Sequence, residues 1–278
     1  MASQSDITTE DNIDNVYSID YESPGTVFIF NNATFKNGHS ERQGSDKDVT
    51  RLTETFQKLG FKIETYNNKT SSELRQLIDA YGRRNYEADS CFICFIMSHG
   101  DNGCILGTDG DWIDIKEFVK PTKTNKSLLN KPKLFFTQAC RGNTHMSYIE
   151  HDDIEQDAHK AEQMYDVDST TRVPEEGDFL FGYSCVEGYY SYRKKESGSL
   201  YIQTLCDVFT DNPRDELSHA LVEVNKRITT DSRLTTVATY ENRLRKKIYL
   251  GKKCKSITKT NTKCISLHFF YKYMYKQF

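Results

Sequence analysis

Nowhere in the 278-residue chain is there an apolar run approaching the roughly 18 residues that a membrane-crossing helix needs. No membrane partner is therefore expected. The first twenty residues, MASQSDITTEDNIDNVYSID, have neither a basic start nor an apolar core, so they do not read as a secretory leader. Excess charge is missing too. The 37 lysines and arginines nearly balance 40 acidic residues, leaving −3, and nothing points to nucleic acid. Cysteine is sparse, with eight in all, too few for a disulfide scaffold. Several sit inside apolar runs, as reduced thiols of the cytoplasm do. The sequence contains no G-x-S-x-G, no phosphate-binding loop and no internal repeat. Cys91 and Cys94 have a metal-site spacing, but residues three apart on a strand face opposite ways, so both are read as core. No cofactor and no metal are expected.

What remains is an alternation of short apolar runs with segments of helical period. TVFIF (26–30), FKIETY (61–66), SCFICFIMSHG (90–100), PKLFFTQAC (132–140) and DFLFGYSC (178–185) read as strands. Helices are predicted over 48–60, 71–86 (capped from Ser71 or Ser72), 113–120, 199–210 and 216–228. Asn102-Gly103 and Asp109-Gly110 mark a small hairpin. The fold class is α/β, with a mostly parallel central sheet and helices on both faces. From about 144 to 177 the pattern stops in a polar, acidic linker. Residues 243–263 read as a basic, irregular stretch and CISLHFF (264–270) as a last strand.

In such folds chemistry sits beyond the carboxyl ends of the strands. Two polar sequences fall there, Ser98-His99-Gly100 and Gln138-Ala139-Cys140-Arg141-Gly142. A cysteine attacks as thiolate, and a histidine in reach can take its proton and return it to the leaving amine. His99 is the best base for Cys140, and His39 is its rival. The backbone N–H groups of Gly100 and Cys140 are placed to hold a developing oxyanion. Against this stands the blander reading, in which the thiol is a small core residue and the imidazole a satisfied one.

Gln-Ala-Cys-Arg-Gly with a histidine tens of residues upstream is the caspase signature. FIMSHGDNG (95–103), QACRG (138–142), DFLFGYS (178–184) and GYYSYR (188–193) resemble that family in the family's own order, and the likeness runs with gaps from Thr26 to Tyr275. The resemblance implies a caspase-like three-layer sandwich with about six strands, and cleavage of protein substrates after aspartate. It places the acid-binding pocket on Arg42, Gln138 and Arg193, and substrate backbone on Ser191. Tyr190 and Tyr192 become walls for the residue before aspartate. Lys194 and Leu200 replace residues of the executioner pattern, which leaves the distal preference open. A backbone carbonyl near Ser40 is implied to orient His99.

The resemblance further implies a zymogen of the executioner type, with a short prodomain (1–20), a large subunit (21–168) and a small one (169–278). Cleavage is expected after Asp168, then Asp166, with Asp14 and Asp20 as prodomain candidates. An upstream initiator caspase would be the activator. The product would be a homodimer built of two large and two small subunits, an effector of apoptosis in the cytoplasm. The rival function is a catalytically weak regulatory homologue that acts by dimerising with an active caspase.

Overall fold

The computed structural model of the chain describes residues 15–36, 38–142, 145, 174–230 and 236–252. In chain order the first half comprises β1 (Gly25–Asn31), α1 (Ser45–Lys58), β2 (Lys62–Asn67), α2 (Ser71–Gly82) and β3 (Cys91–Met97). A small three-stranded sheet follows, β4 (Gly100–Asp101), β5 (Cys104–Leu106) and β6 (Trp112–Asp114), then α3 (Ile115–Thr124) and β7 (Lys133–Gln138). Beyond the linker come β8 (Phe179–Tyr183), the hairpin β9 (Arg193–Lys194) and β10 (Gly198–Ser199), α4 (Leu200–Asp211), α5 (Leu217–Thr230) and β11 (Thr239–Arg243).

Strands without a polar face must be covered on both sides. β1, β3 and β7 are buried along their whole length and form the centre of a six-stranded sheet ordered β11-β8-β7-β3-β1-β2. All neighbours run parallel except β11, which is antiparallel to β8. Side-chain alternation splits each strand between two cores. Val27, Ile29, Ile93, Phe95 and Phe136 pack with Leu52 and Phe56 of α1, Leu205 of α4 and Val224 of α5. Phe28, Phe92, Cys94 and Phe135 pack on the other face with Leu74 and Ile78 of α2 and Phe118 of α3. Cys91 and Cys94 thus fall in different cores, as their spacing on a strand requires. The expected α/β sandwich, its mostly parallel sheet and its helices on both faces are all present.

Three details differ from the expectation. Helix α2 is capped by Thr70 rather than Ser71 or Ser72, because Glu73 closes a reciprocal capping box with it. The sixth strand is β11, whose sequence TYENR has no apolar alternation. It forms because β8 offers it a free edge, and CISLHFF lies outside the described residues. The described part of the stretch read as basic and irregular is pinned to the fold. Ile248 and Leu250 enter the core, while Arg243 and Arg245 pair with Glu241, Glu176 and Asp178.

Asp178 fastens the amino end of β8. Its carboxylate is fully buried and accepts hydrogen bonds from Tyr17 Oη (2.5 Å), Arg245 Nε (2.8 Å) and Arg245 Nη2 (2.7 Å). Burial alone would raise its pKa, but the bonds from Arg245 and Tyr17 outweigh it and hold the carboxyl below the ordinary carboxylate range. A carboxyl depressed in the folded state contributes stability at neutral pH that is lost as acid protonates it, below about pH 4. Asp178 has φ 67°, which asparagine also tolerates, so Asp178→Asn removes the charge with little backbone cost. The expected loss is about 3 kcal/mol in denaturant titration at neutral pH, shrinking toward zero in acid.

Candidate active site

The site begins with a register. Asn31, Met97 and Gln138 are lateral neighbours at the carboxyl ends of β1, β3 and β7. His99 and Cys140 each lie two residues beyond their strand, on adjoining strands and at the same level. The Ser98 N–H still reaches Gln138 O (3.3 Å), so the chains stay side by side past the ladder. Gly100 fits because it has no side chain. A β-carbon there would lie 2.7 Å from both Cys140 O and Ala139 Cβ.

The His99 ring nitrogen Nε2 lies 2.7 Å from Ser40 O. A carbonyl only accepts, so Nε2 carries the hydrogen and the neutral ring keeps Nδ1 as its acceptor. This is the orienting carbonyl expected near Ser40. Phe35 packs against the ring at 4.8 Å. Burial lowers the His99 pKa below the ordinary histidine value, and the positive charges of Arg42, Arg193 and His39 lower it further against the Ser40 carbonyl. His39 itself is exposed and lies edge-on to Phe35. The Cys140 sulfur accepts a hydrogen bond from Ser191 N–H at 3.5 Å.

Arg42 is one of the most deeply buried side chains, 1% exposed. Its backbone N–H donates to Ala33 O (2.8 Å), and its Nη1 donates to Asn32 O (2.8 Å) and Asn31 Oδ1 (3.2 Å), which locks the fork to the end of β1. Nη2 is buried without a hydrogen-bond partner among the described residues, as is Gln138 Oε1. Burial pushes the Arg42 pKa down to about 9, and Arg193 adds to that fall, whereas Asp48 opposes it. Arg193, on β9, donates from Nε to Gln43 O (2.9 Å), and its pKa too is lowered by burial. Gln138 Nε2 donates to Ser191 Oγ at 2.5 Å. The structure therefore gathers Arg42, Arg193, Gln138 and Ser191 around Cys140. Two guanidinium groups partly out of water, beside a thiol, form a place for a small anion.

Tyr190 and Tyr192 flank Ser191 and are half-buried. His145 rests between them, its ring 4.6 Å from that of Tyr190 and its Nδ1 3.0 Å from Tyr192 Oη. Lys194 continues β9, and Leu200 packs against the core at the start of α4. Asp166 and Asp168 lie outside the described residues. Asn31, Asn32, Asp48 and His145 were not foreseen as parts of the site. Asp48 and His145 join it through contacts between segments far apart in sequence, whereas Asn31 and Asn32 hold Arg42 from only eleven and ten positions away, across a loop with no regular pattern.

With the geometry in hand, similarity to known proteins can be placed on it. The caspase-domain family model matches residues 24–249. The chain is 37% identical to caspase-7 of Gallus gallus over 223 residues, which is 77% of this chain and 70% of that protein. It is 38% identical to caspase-3 of Oryctolagus cuniculus over 224 residues, 79% of this chain and 77% of that protein. Caspase-3 of Mus musculus gives 36% over the same length and coverage.

Two outcomes follow from the geometry at the thiol. The acid limb of kcat/KM should lie below the ordinary histidine value of about 6.5, because a base must be neutral to act. A limb at or above that value contradicts the assignment of His99. Gly100→Ala should cost about a hundredfold or more in kcat with the fold intact by circular dichroism, since the added methyl displaces the Cys140 backbone.

Proposed function

The chain belongs to the caspase family of cysteine endopeptidases, and we propose that it cuts after aspartate, as an effector protease of apoptosis. The observation that carries this reading is the buried Arg42 fork, whose Nη2 has no partner among the described residues and whose pKa is shifted by the nearby Arg193 and Cys140. A carboxylate taken out of water needs charged, forked donors, each such hydrogen bond being worth about 1.5–3 kcal/mol. A neutral asparagine in the same slot leaves two cations unpaired. Glutamate keeps the charge but moves the scissile carbonyl by one methylene.

In this reading Ser191 holds substrate backbone by strand addition, and Tyr190 and Tyr192 wall the residue before aspartate. His99 Nδ1 takes the Cys140 proton, and the sulfur adds to the scissile carbonyl. The N–H groups of Gly100 and Cys140 receive the oxyanion, and His99 returns the proton to the leaving amine. Water, activated by the same imidazole, then releases the acyl group. No cofactor enters any step.

Cleavage after Asp168, with Asp166 second, separates residues 21–168 from 169–278, and removal of residues 1–20 frees a short prodomain. An upstream initiator caspase performs the first cut. The halves remain joined, because β7 and β8 are paired along their length across the cut and their side chains share both cores. β11 leaves one edge of the sheet without a neighbour among the described residues, and pairing there with a second copy gives the homodimer. The compartment is the cytoplasm. Among the described residues no helix is long and apolar enough to cross a membrane.

A fluorogenic peptide ending in aspartate tests the reading. Cleavage should be about a hundredfold or more faster than for the asparagine analogue, and Cys140→Ala should abolish it. Equal rates for the two peptides would overturn the slot. Intact-mass measurement of the active protein should show a cut after Asp168, and full activity from an uncut chain would overturn the activation step.

A further inference from the structure

Asp48 lies in the first turn of α1 and is completely buried. It is not part of the thiol chemistry, and an isolated buried carboxylate is costly, so its partners define its role. Oδ1 and Oδ2 accept from Ser199 N–H at 2.9 and 3.1 Å, and Oδ1 also accepts from Gln203 Nε2 at 2.8 Å. Ser199 is the register partner of Arg193 across the β9–β10 hairpin. A β-carbon on Gly198 would lie 2.3 Å from Asp48 Oδ1, so the hairpin is pressed directly onto this carboxylate. Gly44, just before α1, would likewise strike the Lys194 and Lys195 carbonyls at 2.5 and 2.6 Å if it had a side chain. Gln43 O accepts from Arg193 Nε. The loop that carries Arg42 and the hairpin that carries Arg193 are thus clamped together, with the fully buried Asp48 carboxylate between α1 and the hairpin. Its charge acts on both guanidinium groups.

We propose that Asp48 is a positioning residue for the acid slot, a resident counter-ion that holds the Arg193 hairpin against the Arg42 loop and keeps the cation pair in place when no substrate is bound. The proposal rests on the reading that Arg42 and Arg193 receive the substrate aspartate. It has a consequence that a simple strut lacks. A fixed negative charge behind the pair offsets part of its field, so the slot lets go of the product carboxylate after cleavage. Removing the charge while keeping the shape should make the empty slot less stable and the filled slot tighter.

Asp48→Asn keeps Oδ1 for Ser199 N–H and Gln203 Nε2, removes the charge, and puts an amide donor in place of Oδ2, the more distant acceptor of Ser199 N–H. Asp48→Ala removes charge and acceptors together. Each variant and the wild type are assayed with two product peptides as inhibitors, identical except for a terminal aspartate or asparagine. The wild type should be inhibited by the aspartate product alone; failure there overturns the acid slot itself and not merely the role of Asp48. Given that result, Asp48→Asn should melt at a lower temperature when empty and bind the aspartate product about tenfold more tightly. Asp48→Ala should raise KM about tenfold while kcat changes little. Unchanged product inhibition in Asp48→Asn, or weakening equal to that of Asp48→Ala, would overturn the proposal. Should Asp48→Asn not fold, the exchange is repeated with Arg193→Gln. Recovery of a folded chain supports the counter-ion role, and continued failure overturns it.

Discussion

One register organises the site. Asn31, Met97 and Gln138 stand in line at the ends of three parallel strands, and the chain that follows them delivers Arg42, His99 and Cys140, while Ser191 and Arg193 come from the segment after β8. Parallel pairing makes this possible, because it puts all the carboxyl ends on one edge, and helices on both faces keep that edge from shifting. A slip of one residue in β3 against β7 would turn His99 away from Cys140 and exchange the two cores along the strand. The buried, mostly aliphatic and aromatic content of β1, β3 and β7 is what forbids the slip.

The register explains placement but not specificity, which is electrostatic. Arg42 is held where a cation is costly, its fork fixed by Asn31 and Asn32. Arg193 comes from a different part of the chain, on a hairpin beyond the linker. Burial lowers the pKa of both cations, the charge of Arg193 lowers that of Arg42 further, and both charges lower that of the His99 imidazole. One set of charges thus does two things. On the proposed reading it makes an acid the side chain that best fills the slot, and together with burial it lowers the pKa of the base.

The sequence discloses the parts of this arrangement that are local. β3 and β7 are legible because an unbroken apolar run bounded by turn residues has few other fates, and the motifs at their ends name the thiol and the imidazole. α1, α4 and α5 are legible from their period. β9 and β10 are two residues each, the first charged and the second a glycine and a serine, so they leave no trace in a pattern of alternation. β11 is equally silent, because its pairing with β8 and not its composition makes it a strand. Asp48 looks like an ordinary acid favouring a helix amino terminus, and its bond to Ser199 spans 151 positions. The capping box at Thr70 and Glu73 was readable by rule, yet Ser71 and Ser72 beside it offered equally good chemistry for the same role.

The central claim is that Cys140, and no other thiol, meets an aspartate held by the arginine pair. Labelling with a peptidyl fluoromethyl ketone ending in aspartate, followed by peptide mass mapping, tests it most directly. The account predicts adduct on Cys140 alone, lost with the asparagine analogue and lost in Arg42→Gln. Adduct on Cys104, the other cysteine that is not fully buried among the described residues, or equal labelling by the two reagents, would contradict it.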